Sequence, residues 1–176
     1  MTIESTPNGN RILVSAGSKH GSTSQIADRI AAVLTERGHP VDVKAPEQVT
    51  DLSDYQVVVL GSAVYAGHWT PSAKGLADRI AASNSNPVTW IFSSGPVGDP
   101  PKPEEDPVDV APIMQATSAR EHRVFAGKID KTKLSFGEKA IVVAVRAAEG
   151  DFRNWNEIES WAHEIADRLV KEVDKL

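Results

Sequence analysis

The sequence predicts an α/β fold, a doubly wound parallel sheet of five strands with helices on both faces. Three observations predict it. Short apolar runs alternate with stretches of helical periodicity, the signature of βαβ units. One run, Val57-Val58-Val59-Leu60-Gly61, is continuously apolar and β-branched, as a central parallel strand covered on both faces should be. The strand-like runs at 11–15, 57–61 and 88–92 are each followed by small polar residues rich in Gly and Ser.

The elements follow in order. Arg11-Ile12-Leu13-Val14-Ser15 reads as a buried strand, and Gly17 to Thr23 as a tight polar loop. A helix follows with Ile26, Ile30, Val33 and Leu34 on one face. Ser22 and Gln25 have capping-box spacing, which predicts its start, and Gly38-His39-Pro40 ends it. Val41-Asp42-Val43 is a short second strand, and residues 46–54 form a connection with room for one helical turn. After the central strand, residues 62–69 read as a loop. Thr70-Pro71 starts a helix with Ala73, Leu76, Ala77 and Ile80 inward. Val88 to Phe92 is a fourth strand, followed by the polar loop Ser93 to Gly98.

Regularity then weakens. Residues 99–112 hold five prolines and several acids, and 99–119 as a whole reads as an irregular insertion or lid, with a short helix within 108–119. Glu121 to Ala126 is the fifth strand and Phe136 to Ala148 looks helical. The closing helix is clear: Ile158, Trp161, Ile165, Leu169 and Val173 repeat at helical spacing, with Asn154 as cap and Glu157 completing a capping box.

A chain of 176 residues fits one domain spanning 1–176, able to bury a core without staples. It contains no cysteine, which excludes disulfides, iron–sulfur clusters and thiol chemistry. Any redox role therefore needs a bound cofactor. The net charge of −5 argues against nucleic acid as a partner. No apolar run is long enough to cross a bilayer, and residues 1–10 lack a signal-peptide core, so the cytoplasm is the expected compartment, with peripheral membrane contact left open. One stretch runs against the acidic total: Arg120, His122, Arg123, Lys128, Lys131, Lys133 and Lys139 stand against Glu121, Asp130 and Glu138. It could dock an anionic ligand tail, lipid headgroups or an acidic partner, or be solvated surface.

In an open α/β sheet, ligands bind beyond the carboxyl ends of the strands, so the loops 17–23, 62–69 and 93–98 should converge on one crevice. The first has the chemistry of a phosphate cradle. Gly17 and Gly21 permit tight curvature, Ser18, Ser22 and Thr23 offer hydroxyls, and backbone amides collect at a helix N-terminus. Lys19 and His20 could add positive charge or face solvent. The loop is neither a Walker A motif nor a dinucleotide G-x-G-x-x-G fingerprint. An ordinary, well-capped βα turn would have the same composition. The second loop carries Tyr65 and Trp69, flat apolar walls suited to a planar heterocycle, with Tyr65 the preferred stacking residue. Trp69 could equally pack on the sheet edge, and His68 fits a surface or capping role. No nucleophile, catalytic triad or metal-ligating cluster is picked out, and no G-x-S-x-G elbow supports a hydrolase.

The loop Ser18-Lys19-His20-Gly21-Ser22-Thr23 resembles the Ser/Thr-x-Thr-Gly-x-Thr phosphate loop of the flavodoxin-like family. Ser18, Gly21 and Thr23 match it, and His20 replaces the usual threonine. The strings Gly61-Ser62-Ala63-Val64-Tyr65, Phe92-Ser93-Ser94-Gly95-Pro96, His122 to Lys128 and Phe136 to Ala140 resemble the group related to menaquinone-dependent protoporphyrinogen oxidase. The resemblance implies a flavodoxin-like sheet and an FMN cofactor. Its phosphate would be held by Ser18, Lys19, His20, Gly21, Ser22 and Thr23. Its ring would be flanked by Ser62, Ala63, Val64, Tyr65, Ala66 and Gly67, and by Ser93, Ser94, Gly95, Pro96, Val97 and Gly98.

On that basis the chain is expected to be a flavin-linked redox protein, an electron carrier or an oxidoreductase. Its partner would be a redox protein or a small molecule such as a quinone. Main-chain groups around Ser62, Ala63, Ser94 and Gly95 would set the redox balance of the ring, and a nearby acidic surface would lower its potential. Some related proteins use a deazaflavin with a longer anionic tail, which Lys19 and the basic stretch would suit. A cofactor-free binding or regulatory module on the same fold is the alternative from another class. An exposed sheet edge would let two copies pair, so a homodimer is one expected assembly.

Overall fold

A computed structural model describes residues 11–95, 106–129, 137–139 and 150–173. The elements are β1 (Ile12–Gly17), α1 (Ser22–Glu36), β2 (Val41–Val43), a single 3-10 turn (Pro46–Gln48), β3 (Val57–Tyr65), β4 (His68–Trp69), α2 (Pro71–Ala82) and β5 (Val88–Ser94). They continue with α3 (Val110–Thr117), β6 (His122–Phe125), β7 (Lys128–Ile129), β8 (Gly150–Asp151) and α4 (Trp155–Val173). Five strands form the parallel sheet, in the order β2-β1-β3-β5-β6. This is the doubly wound flavodoxin fold that the sequence predicts.

The apolar pattern explains the layering. Successive side chains on a strand point to opposite faces. On one face Ile12, Val14, Val57, Val59, Trp90, Phe92 and Phe125 meet α1 and α4. On the other, Leu13, Val58, Leu60 and Ile91 meet α2 and α3. Both faces of β3 are buried, as its apolar run over 57–61 predicts. Phe92, Phe125 and Trp161 form an aromatic cluster with centroids 5.6–6.0 Å apart. A Cβ at Gly61 would collide with the Phe92 ring, so glycine there lets the ring lie across β3.

The helix faces fall where the spacing puts them. Ile26, Ile30, Val33 and Leu34 of α1 are buried, as are Ala73, Leu76, Ala77 and Ile80 of α2. In α4, Ile158, Trp161, Ile165 and Leu169 are buried, and the side chain of Val173 lies outside the described part. Thr70 caps α2, its side chain accepting from the Ala73 amide, with Pro71 at the first helical position. Asn154 accepts from the Glu157 amide at 3.2 Å at the start of α4.

Several expectations need correction. Residues 62–65 are not loop: β3 runs on to Tyr65, with Ser62 paired to Gly17 of β1, Ala63 to Ser94 of β5, and Val64 and Tyr65 to Trp69 and His68 of β4. A two-residue turn at Ala66 and Gly67, both at positive φ, then leads into β4, which pairs antiparallel with β3. Ser93 and Ser94 likewise belong to β5. Ser22 and Gln25 make no capping box. The N-cap of α1 is Gly21 in the left-handed region, without a side-chain cap, and Gln25 Oε1 instead accepts from Arg153 at 2.6 Å. Within 99–119, residues 110–117 form the short helix expected inside 108–119, with Val110 and Ile113 buried in the same cluster as α2. Pro112 is tolerated there because it falls in the first turn. Of the helix expected over 136–148, residues 137–139 are helical and the rest lie outside the described residues.

Candidate functional site

The chain winds outward from β1 to β2, then returns to the other side of β1 with β3. The order reverses between β1 and β3, and such a switch point is where open α/β sheets bind ligands. The register brings the strand ends level: Gly17 faces Ser62, and Ser94 faces both Ala63 and Phe125. The described strand ends Gly17, Ser62 and Ser94 therefore lie along one edge of the sheet, as the fold class implies.

The first segment leaves the start of α1 without a side-chain cap. Gly21, at φ +89°, turns the chain into α1, and a Cβ there would meet nothing within 4 Å. The first helical bond of α1 runs from the Gln25 amide to the Gly21 carbonyl, so the amides of 22–24 precede the helix's own bonding. The first turn holds no acidic residue and no side-chain cap. Thr23 Oγ1 is buried and has no hydrogen-bond partner among the described residues. An unpaired buried hydroxyl is costly, so a group that accepts from it would be favoured here. Ser18 Oγ accepts from the Gly21 amide at 3.1 Å and shapes the turn.

Tyr65 ends β3 beside this loop. Burial, then the Glu138 carboxylate, push its hydroxyl pKa up to about 12, partly opposed by a hydrogen bond from the Lys19 backbone. The Lys19 ammonium lies 5.9 Å from the Tyr65 ring centroid, and the His20 ring meets it edge-on at 6.4 Å. Lys19 and His20 do not face open solvent alone: Glu138 reaches both, at 3.1 Å and 2.6 Å.

Arg153 supports the start of α1 from the far end of the sequence. Its guanidinium, only 4% exposed, pairs with Asp151 and donates to the Ser22 carbonyl and to Gln25. It also stacks 4.7 Å from the Trp155 ring centroid. Neither Arg153 nor Glu138 is visible as a site residue in the sequence, since each lies over a hundred positions from its partner.

The remaining predicted residues divide. Ser62 and Ser93 are fully buried, and their hydroxyls serve the scaffold: Ser62 Oγ donates to the Ala63 carbonyl and accepts from the Thr70 amide. Ser93 Oγ accepts from the Trp69 indole at 2.8 Å and lies 2.8 Å from His122 Nε2. Trp69 is thus a packing residue, 2% exposed, and not a ring wall. The Ser93–His122 pair, with Asp106 3.5 Å from Nδ1, has triad order, yet a fully buried serine cannot meet a substrate. Burial, opposed by Asp106, holds the His122 pKa below its ordinary value, so the ring is neutral near pH 7. Val64 is buried, while Ala66 and Gly67 form the hairpin turn. Gly95, at φ +73°, donates its amide to the Phe125 carbonyl. Pro96, Val97 and Gly98 lie outside the described residues.

The basic stretch is not a single patch. His122 is largely buried, and Arg123 pairs with Glu121 and Glu164. Lys131 and Lys133 lie outside the described residues. On the β2 side of the loop, a cavity of about 140 Å³ opens between Ser18, Ser24, Asp28, Lys44, Glu47 and Ser72, with charges of both signs. Among the described residues, no helix is long and apolar enough to cross a membrane.

Comparison with known proteins agrees with this geometry. Solved structures share the fold, among them the following three. The rubredoxin oxygen:oxidoreductase of Desulfovibrio gigas matches at a TM-score of 0.61 and 16% identity, over 93% of this chain and 37% of that one. This chain therefore spans little more than a third of that enzyme. A Streptococcus pneumonia TIGR4 flavodoxin matches at 0.61 and 17% identity, over 90% and 99%. A Fusobacterium nucleatum flavodoxin bound to flavin mononucleotide matches at 0.57 and 11% identity, over 90% and 98%. No curated protein matches the chain. The flavodoxin-domain family model matches residues 13–155, from the first strand to the start of the last helix. With its strand order, its uncapped α1 and the loops gathered at the switch point, the chain belongs to the flavodoxin-domain family.

Proposed function

We propose that the protein binds FMN and works as a flavin-dependent redox protein. The observation that carries this reading is the start of α1: a 15-residue helix opens without a side-chain cap or first-turn acid, beside a buried threonine hydroxyl that has no described partner. Those groups fit a phosphate monoester. The flavin mononucleotide in the Fusobacterium nucleatum flavodoxin, which shares the fold, gives the ligand class. Ser18, Gly21, Ser22 and Thr23 would hold the phosphate, and Tyr65 would lie against the ring system. Bound there, the flavin would supply one- or two-electron transfer, which needs no protein nucleophile.

The chain's own residues would bind and orient. Arg153 fixes the Ser22 carbonyl and so the first turn of α1. Tyr65 would present a neutral hydroxyl at any physiological pH, since its pKa is raised to about 12. FMN fits better than a deazaflavin with a long anionic tail, because Lys19, the cation such a tail would use, is already paired with Glu138. An oxidoreductase role like that of the protoporphyrinogen-oxidase group rests on four sequence strings, and a quinone or a redox protein as acceptor rests on the same likeness.

The test is to denature the purified protein and identify what it releases by absorption spectrum and mass, then to titrate the stripped chain with FMN. Release of FMN and its stoichiometric rebinding are expected. Recovery of no flavin, with no rebinding, would sink the reading and favour the cofactor-free module. Release of a deazaflavin would replace FMN by the alternative.

A further inference from the structure

A loop expected to hold a phosphate normally keeps its cations free for it. Here Lys19 and His20 are both already engaged. Glu138 Oε1 lies 3.1 Å from Lys19 Nζ, and Oε2 lies 2.6 Å from His20 Nε2. The Glu138 side chain is only 12% exposed. It comes from the helical residues 137–139, which the fold lays against a loop 118 positions earlier in sequence. An ionised carboxylate only accepts hydrogen bonds, so the His20 Nε2 in this pair carries the proton.

We propose that Glu138 determines which anions the loop accepts, admitting a phosphate monoester and discriminating against pyrophosphates and longer polyanionic tails. The inference rests on reading the loop as a flavin-phosphate site, and it names the specificity of that site. A monoester can be held by the amides that open α1 and by the Thr23 hydroxyl, without using Lys19 or His20. Each further negative charge needs a cation nearby. The Glu138 carboxylate offsets the charge of Lys19 and occupies the Nε2 donor of His20, so neither side chain is left to balance added negative charge. The penalty therefore grows with ligand charge, as Coulomb's law requires for like charges a few ångströms apart.

The experiment compares full-length wild type with Glu138→Gln, both stripped of cofactor. FMN and FAD are titrated by flavin fluorescence, and inorganic phosphate, pyrophosphate and tripolyphosphate by calorimetry. In Glu138→Gln, FMN should bind roughly tenfold tighter, and FAD should gain more than FMN, narrowing the FMN-to-FAD preference by about tenfold. Pyrophosphate and tripolyphosphate should likewise gain more than phosphate. A second variant, Lys19→Met, leaves Glu138 in place and lightens the cationic side. It should widen the discrimination against the polyanions, and it keeps the idea exposed if Glu138→Gln does not fold. Unchanged ratios in either variant, or uniform weakening in Glu138→Gln, overturn the proposal. Discrimination among the inorganic anions without any flavin binding would overturn the flavin reading and leave Glu138 in its role. Flavin binding with unmoved ratios would do the reverse. If no anion binds any variant, both fail.

Discussion

At the scale of single residues, Thr23 gives the sharpest separation of structural from functional roles. Its side chain is 1% exposed and its hydroxyl has no described partner. A buried hydroxyl without a partner detracts from stability. Thr23→Val keeps the shape and removes the polar group, so the stripped protein should gain about 1 kcal/mol in urea unfolding. FMN affinity should fall about tenfold, the value of one hydrogen bond to a charged group, read by fluorescence titration. Unchanged affinity would return Thr23 to the scaffold. The pattern Ser18-x-x-Gly21-x-Thr23 made this loop legible in the sequence, because its chemistry is local. Glu138 and Arg153 were not legible, because only the fold brings them to it.

At the scale of elements, the hairpin joining β3 to β4 shows what holds the rim of the site. Its turn places Ala66 and Gly67 at positive φ, which costs a non-glycine residue some strain. The strain is held by the start of α3. Asp109 accepts from the Trp69 amide at 2.9 Å and lies 3.2 Å from His68 Nδ1, while the Val108 amide donates to the Gly67 carbonyl. Asp109→Ala should cost about 1–2 kcal/mol of stability. It should also raise amide exchange at residues 66–69 while leaving β1 and β5 protected, as hydrogen-exchange mass spectrometry would read. Equal protection of 66–69 in both proteins would mean the hairpin holds itself. The sequence hides this hairpin for a physical reason. Ser62 and Ala63 have loop-like composition, and they are strand only because β1 and β5 flank them. By contrast, the faces of α1, α2 and α4 were legible, because period and burial agree residue by residue. The missing cap at Ser22 is the informative failure: Gly21 takes the N-cap position in the left-handed region, and Gln25 bonds Arg153 across the fold instead.

At the scale of the whole molecule, the two tyrosines link the site to global stability. Burial and the hydrogen bond to Asp42 raise the pKa of Tyr55, and Tyr65 is pushed up to about 12. Raised pKa values mean that the fold prefers the neutral phenols. Their contribution is fully present below pH 10.0, the ordinary tyrosine value, and for Tyr65 is lost as pH rises through about 12. An alkaline titration should therefore show little phenolate absorbance at pH 10.0, then a rise that coincides with unfolding. Half-maximal phenolate at pH 10.0 in the folded protein would contradict the burial of both rings. The short ladder of β7 with β8 has a different reach. Lys128 faces Asp151 and Ile129 faces Gly150, so the chain leaves and re-enters the scaffold at adjacent points. Where the two ends of a segment are clamped together, a change in its length carries a small entropic cost. Glu138 rides on that segment. The loop at residues 18–23 and the carboxylate proposed to set its preference thus belong to separate stretches of chain: exchanging the twenty residues between Ile129 and Gly150 would change the proposed preference and leave the loop's own sequence intact.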